Sequence, residues 1–223
     1  MHGGRIYWDF LYIGARLVSL RTTKTKRERP IIFSTPMIRA ILDHRKTQTR
    51  RVIVAPRGWQ MVPRDPFNGV YLRKLAVGGQ VDDERYLCCP YGSPGDHLWV
   101  REKRGFLHED FGYDRIGVYY EADNIAANEL TRIRWRPSIN MPRWASRIDL
   151  EITALRVERL QEINQADAYA EGFDPCEPGQ LTSATDGCVH AYRLYWNSLN
   201  AKRGYAWETN PWVWVIEFKR IKP

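Results

Sequence analysis

At 223 residues the chain is long enough for one substantial core, and its 43% hydrophobic and 27% charged residues exclude wholesale disorder. The 34 Lys and Arg outnumber the 26 Asp and Glu by eight, a basic excess that fits a polyanionic partner such as nucleic acid without requiring one. The apolar stretch from Ile6 to Leu20 is broken by Asp9 and Arg16, is too short for a membrane span and lacks the marks of an export signal.

Nine Trp and twelve Tyr supply rings that can close a small barrel or stack on exposed bases. Cys88, Cys89, Cys176 and Cys188 form no regular framework, and an adjacent pair is poorly suited to stapling a secreted fold. The cytoplasm is the expected compartment. With His190 these thiols offer enough ligand atoms for zinc, but without a CxxC knuckle no metal site and no cofactor are expected.

In chain order, residues 1–29 read as a leader or poorly ordered extension that ends in the charged run Arg21–Arg29. A single domain is expected over 30–223. It opens with a strand at Ile31–Phe33 and a helix capped by Ser34 or Thr35, with Pro36 in the first turn. Met37, Ile38, Ile41 and Leu42 share one face of that helix, which stops near His44, and Arg45–Ile53 runs from a loop into a strand. Residues 54–94, rich in Pro, Gly and Asp, read as a long irregular insertion.

Further along, Leu98–Lys103 and Arg115–Glu121 read as strands, and 123–146 as an irregular, Arg- and Trp-rich segment. Ile148–Leu160 alternates as a long strand with a phase slip that suggests a bulge. Asn164 opens a short helix to Glu171, with Asp167 at the reciprocal capping position and Gly172 at the stop. A helix over His190–Leu199 turns Ala191, Leu194, Tyr195 and Leu199 inward, and Trp212–Phe218 closes the sheet. Short strands with two or three flanking helices define an α+β class and a small mixed barrel.

Four segments in order carry a resemblance. They are Pro36–Ile53 around Arg45-Lys46-Thr47-Gln48-Thr49-Arg50-Arg51, Pro94–Glu102, Ile152–Phe173 ending in Ala168-Tyr169-Ala170-Glu171-Gly172-Phe173, and Asn210–Lys219. Together the chain resembles the ASCH family, and within it the longer members common in bacteriophages and prophages. The resemblance implies a PUA-like β-barrel with a basic cleft beside the first helix, and RNA or a modified nucleoside as the partner. Small bacterial members of the family deacylate N4-acetylcytidine, and other relatives are described as ribonucleases. By motif, the Lys, Thr and Glu of the amidohydrolases correspond to Lys46, Thr49 and Glu171. This chain departs from them through insertions at about 54–94 and 104–145.

The chemistry is consistent with that set. A desolvated Lys46 can take the proton of Thr49, whose hydroxyl is otherwise a poor nucleophile, and Glu171 at a helix C-terminus can shuttle a proton. Residues three apart on an extended strand point to opposite faces, so the pairing needs Lys46 in the turn before the strand. The alternatives are a strand Thr49, a solvated Lys46 and a Glu171 that pairs a motif arginine. Arg45, Arg50 and Arg51, with Trp99 and Arg101 of the second motif, are the expected RNA- or nucleotide-binding residues, since guanidinium forks suit phosphates and base edges. Trp99 and Trp144 read equally well as stacking platforms or core rings. Asp96 after Gly95 reads as a turn-capping carboxylate.

Overall fold

The alternating run around Ile152 and the continuous apolar run around Val215 become the two longest strands among the described residues. The computed structural model describes residues 8–13, 16–21, 26–56, 59–62, 69–75, 81–107, 118–123, 125, 132–173 and 187–221. Their strands are β1 (Trp8–Ile13), β2 (Arg16–Arg21), β3 (Glu28–Ile32), β4 (Gln48–Val52), β5 (Trp59–Val62), β6 (Gly69–Leu75) and β7 (Val81–Cys88). After these come β8 (His97–Arg101), β9 (Arg104–Leu107), β10 (Tyr119–Tyr120), β11 (Ile133–Arg136), β12 (Asp149–Arg159) and β13 (Trp212–Ile221). The helices are α1 (Thr35–Leu42), α2 (Gln165–Ala170) and α3 (Gly187–Asn200). The class is mixed α+β, and most of the regular structure is strand.

The core is a five-stranded sheet in the order β3-β8-β12-β13-β4, antiparallel except for the parallel β3–β8 pair. Val213, Trp214, Val215 and Ile216 are all buried, so β13 is covered on both faces. Along β12 the register slips between Ile152 and Ala154, leaving Thr153 as an extra, exposed residue. That bulge lets Leu150, Ile152 and Leu155 all reach the core despite the break in alternation. Among the described residues no barrel closes: β3 and β4 are the two edges of this sheet.

Helix α1 packs on the sheet through Met37, Ile38, Ala40 and Ile41. It ends where His44 takes a left-handed backbone (φ 60°), which turns the chain sharply toward β4. Asp96 accepts from the Ser93 amide at 3.0 Å, the turn-capping role expected of it.

Several expectations are corrected. The segment 54–94 holds the antiparallel meander β5-β6-β7, in which Trp59–Val62 pairs with β6 and β6 with β7. The segment 104–145 likewise builds a small sheet, β10-β9-β11. The expected strand Arg115–Glu121 is reduced to Tyr119–Tyr120, residues 115–117 lying outside the described set. The domain boundary expected at residue 30 falls inside β3, and the preceding segment carries the β1–β2 hairpin. On α3 the inward face is Cys188, Tyr192, Trp196 and Asn200, with Ala191 beside it. Leu194 and Leu199, expected inside, are 50% and 51% exposed. The i, i+4 row of Tyr192 and Trp196 buries more apolar surface than the row through the leucines, and so decides the helix phase.

The adjacent thiols occupy different environments. Cys88 is exposed, while burial pushes the Cys89 thiol up to about 11. At pH 8 only about a thousandth of Cys89 is then thiolate. A maleimide at that pH should label Cys88 in the native protein and Cys89 only after denaturation. Peptide mass mapping checks this, and equal native labelling of the two would contradict the burial of Cys89.

Candidate functional site

The stop of α1 shapes the site. Beyond His44, the Arg45 and Lys46 amides both donate to the Ala40 carbonyl at 2.9 Å, curling the chain back on the helix end. The Thr47 amide then donates to Ala170 O at 2.8 Å, and the Phe218 amide donates to Thr47 O at 2.8 Å. One short loop is thereby pinned to the end of α2 and to β13, with Lys46 turned inward. The neighbouring Gly172 has φ +96°, and a Cβ built there would lie 2.9 Å from Ala40 Cβ and 3.3 Å from Lys46 Cβ. Only glycine fits both that backbone and that approach.

Lys46 is buried, and its ammonium donates to Glu171 Oε2 at 2.8 Å, to Glu171 O at 2.8 Å and to Gln48 O at 2.7 Å. Burial pushes its pKa below the usual lysine range, while the Glu171 carboxylate works against that shift. Arg50, whose side chain has no exposed surface, reaches Glu158 and Asp167 at 3.1 Å and Glu171 at 3.4 Å. Arg156 extends the network to Asp167 at 2.9 Å and also pairs with Glu158 and Glu217. For Asp167, burial opposes the charge, but Arg50, Gln48 and Arg156 outweigh it and hold the carboxyl below its usual range. Asp167 also completes the capping box of α2 with Asn164, so the helix start and the charge network are one construction.

Above this floor opens a cavity of about 500 Å³. Lys46, Thr49 and Glu171 all line it, with Arg50 and Arg51. Aromatic walls come from Phe33, Tyr91, Tyr192, Tyr195 and Trp196. Ser34 Oγ lies 2.8 Å from the Tyr195 hydroxyl, and burial pushes both Tyr192 and Tyr195 up, so both phenols are neutral near pH 7. The Arg51 guanidinium lies 5.3 Å from the Phe33 ring centroid and 5.8 Å from that of Tyr91, and donates to Ile32 O at 2.6 Å. Thr49 is only 5% exposed, and its hydroxyl has no hydrogen-bond partner among the described residues.

The structure therefore brings the expected Lys46, Thr49 and Glu171 to one cavity, and it separates the expected binding residues. Arg50 lines the cavity with its guanidinium already paired to three carboxylates. Arg45 is absent from the wall; it donates to Gly172 O at 3.3 Å and pairs with Asp43. Trp99 and Arg101 also lie away from the cavity, stacked on each other at 4.6 Å, with Arg143 at 6.0 Å from the Trp99 ring. The sequence reading missed Tyr192, Tyr195 and Trp196 as cavity rings, although their i, i+3, i+4 spacing marks a common face. Cys176 lies outside the described residues.

No family model matches the chain, and it matches no curated protein and no solved structure. Among the described residues no helix is long and apolar enough to cross a membrane.

The buried pair makes a stability prediction. Truncating one partner strands the other charge, so Lys46→Met or Glu171→Leu alone should cost about 3–5 kcal/mol, and the double variant much less than the sum. Urea unfolding of the four proteins checks this; additive losses would contradict direct pairing.

Proposed function

We propose that this chain is an ASCH-type, PUA-like domain that binds RNA or a modified nucleoside, with the cavity above the Lys46–Glu171 pair as its base pocket. The carrying observation is the cavity itself. Its volume of about 500 Å³ lies in the range typical of small-molecule sites, with aromatic walls and a few fixed polar groups. Rings such as Tyr195 and Phe33 suit the faces of a heterocycle, and the free Thr49 hydroxyl suits its polar edge. Two of the four segments that carry the resemblance meet here: Lys46, Thr49, Arg50 and Arg51 of the first and Glu171 of the third all line the cavity. The reading places the protein in the cytoplasm, where nucleic acid is met and the thiols of Cys88, Cys89 and Cys188 stay reduced.

Binding takes precedence over turnover because of Lys46. All three of its N–H directions are engaged by acceptors, so it stands as a charged donor and not as a base for Thr49. A second reading, an amidohydrolase of N4-acylated cytidine, is favoured by the presence of all three motif residues in the lining of one cavity. In that reading Lys46 first gives a proton to Glu171, the carboxylate 2.8 Å away, and in neutral form takes the Thr49 proton. Thr49 Oγ1 attacks the acyl carbon, and the C–N bond breaks as Glu171 returns a proton to the departing amine. After a second proton transfer from Lys46 to Glu171, Lys46 takes a proton from water and the hydroxide cleaves the Thr49 ester. Acetate leaves as Glu171 returns a proton to Thr49. A ribonuclease has no comparable support, since no exposed acid–base pair lines the cavity among the described residues.

Titration calorimetry with cytidine and N4-acetylcytidine, followed by mass spectrometry of the mixture, tests both readings. Saturable binding is expected, with Thr49→Ala retaining affinity within about threefold because one hydroxyl contact is a modest net contribution. Acetate release that Thr49→Ala lowers by about two orders of magnitude or more would establish the hydrolase. Failure of either nucleoside, and of RNA at low salt, to bind would overturn the proposal.

A further inference from the structure

Two arginines are buried among the described residues: Arg50 is neutralised by carboxylates, and Arg104 of the β9–β11 sheet is not. In that sheet Arg136 stands opposite Arg104, and Arg134 opposite Phe106, so all four side chains project from one face. Arg134 and Arg136 are exposed, and neither has an ion-pair partner among the described residues. Arg104 is only 5% exposed, yet it too faces no carboxylate. Its Nη2 donates to Asn140 O at 3.3 Å, while Nε and Nη1 are sealed from solvent without a hydrogen-bond partner. Its guanidinium lies 5.0 Å from the Phe106 ring centroid and 5.9 Å from that of Trp144. Trp144 itself is 66% exposed, an uncommon state for so large a ring.

Burial and the neighbouring Arg136 charge both disfavour the Arg104 cation, which an anion on this face would relieve. The face also has a route to the cavity. The turn Ser138–Asn140 follows β11 directly; Asn140 holds Arg104, and Ser138 lines the cavity. Two residues of chain, at most about 7 Å, separate Arg136 from Ser138.

We propose that this face binds a single-stranded RNA segment, with Arg134 and Arg136 on its phosphates and Trp144 under an unstacked base. The strand continues over the Ser138–Asn140 turn toward the cavity. A cationic face with one exposed flat ring suits a single strand, whose bases are free to stack, better than a duplex or an apolar protein surface. The direction of the strand rests on the nucleoside reading of the cavity; the Arg–Trp face does not.

The test uses the full chain and three variants: Arg134→Glu, the Arg134→Glu/Arg136→Glu double and Trp144→Ala. Anisotropy of a fluorescein-labelled oligouridine is followed across a salt series, with cytidine calorimetry in parallel. Arg104 is left in place because its burial would confuse binding with folding. The double charge reversal should weaken oligouridine binding at least tenfold and flatten the salt slope by about two charges. Trp144→Ala should weaken it about tenfold with the slope unchanged. Cytidine binding should survive in all three. Undiminished oligouridine affinity in the double variant and in Trp144→Ala, or no oligouridine binding by the parent chain at low salt, would overturn the proposal. Loss of cytidine binding in the parent chain alone would instead overturn the cavity reading.

Discussion

The buried ion pair between Lys46 and Glu171 is the constraint on which the rest of the site depends. It joins the loop after α1 to the end of α2, beside the edge strand β4. Removing two charges from water costs several kcal/mol per ion unless each finds close partners. Here each does: Lys46 also donates to two backbone carbonyls, and Glu171 also receives Arg50. The same demand explains Gly172, since any side chain there would push Ala40 and Lys46 away. It also explains why Asp167 is more than a helix cap, because Arg50 and Arg156 both converge on it.

The floor of the cavity is electrically balanced. Lys46, Arg50 and Arg156 are matched by Glu171, Glu158, Asp167 and Glu217, so the basic excess of the chain is not concentrated in the cavity floor. In the proposed reading the pocket discriminates by ring shape and polar edges, while unneutralised arginines elsewhere hold phosphates. The burial that shifts Lys46 toward its neutral form is also what a catalytic lysine requires. The two proposed readings differ in whether Lys46 stays a charged donor or gives up its proton.

Local signals were legible where one residue type has one physical use. Asn164, Asp167 and Gly172 marked the start and stop of α2, and the broken alternation after Ile152 marked the bulge in β12. The short Arg45–Arg51 run, with its helix stop, placed Lys46 in a turn and Thr49 on a strand, as observed. Long-range choices were not legible. Whether Arg50 meets solvent or carboxylates depends on Glu158 and Asp167, more than a hundred residues away. Leu194 and Leu199 fit a helical stripe as well as Tyr192 and Trp196 do, and only the surface presented by α2 and the sheet decides between the rows. The strands within 104–145 are short, and in 54–94 the density of Gly, Pro and Asp in the sequence outweighed the weak alternation of β5, β6 and β7.

The most direct test of the account is a crystal structure of the full chain soaked with N4-acetylcytidine or cytidine. The account predicts the pyrimidine inside the cavity, in contact with Thr49 and the Tyr195 ring, with Lys46 and Glu171 still paired beneath it. A nucleoside bound only elsewhere on the surface, with the cavity filled by solvent, would contradict it.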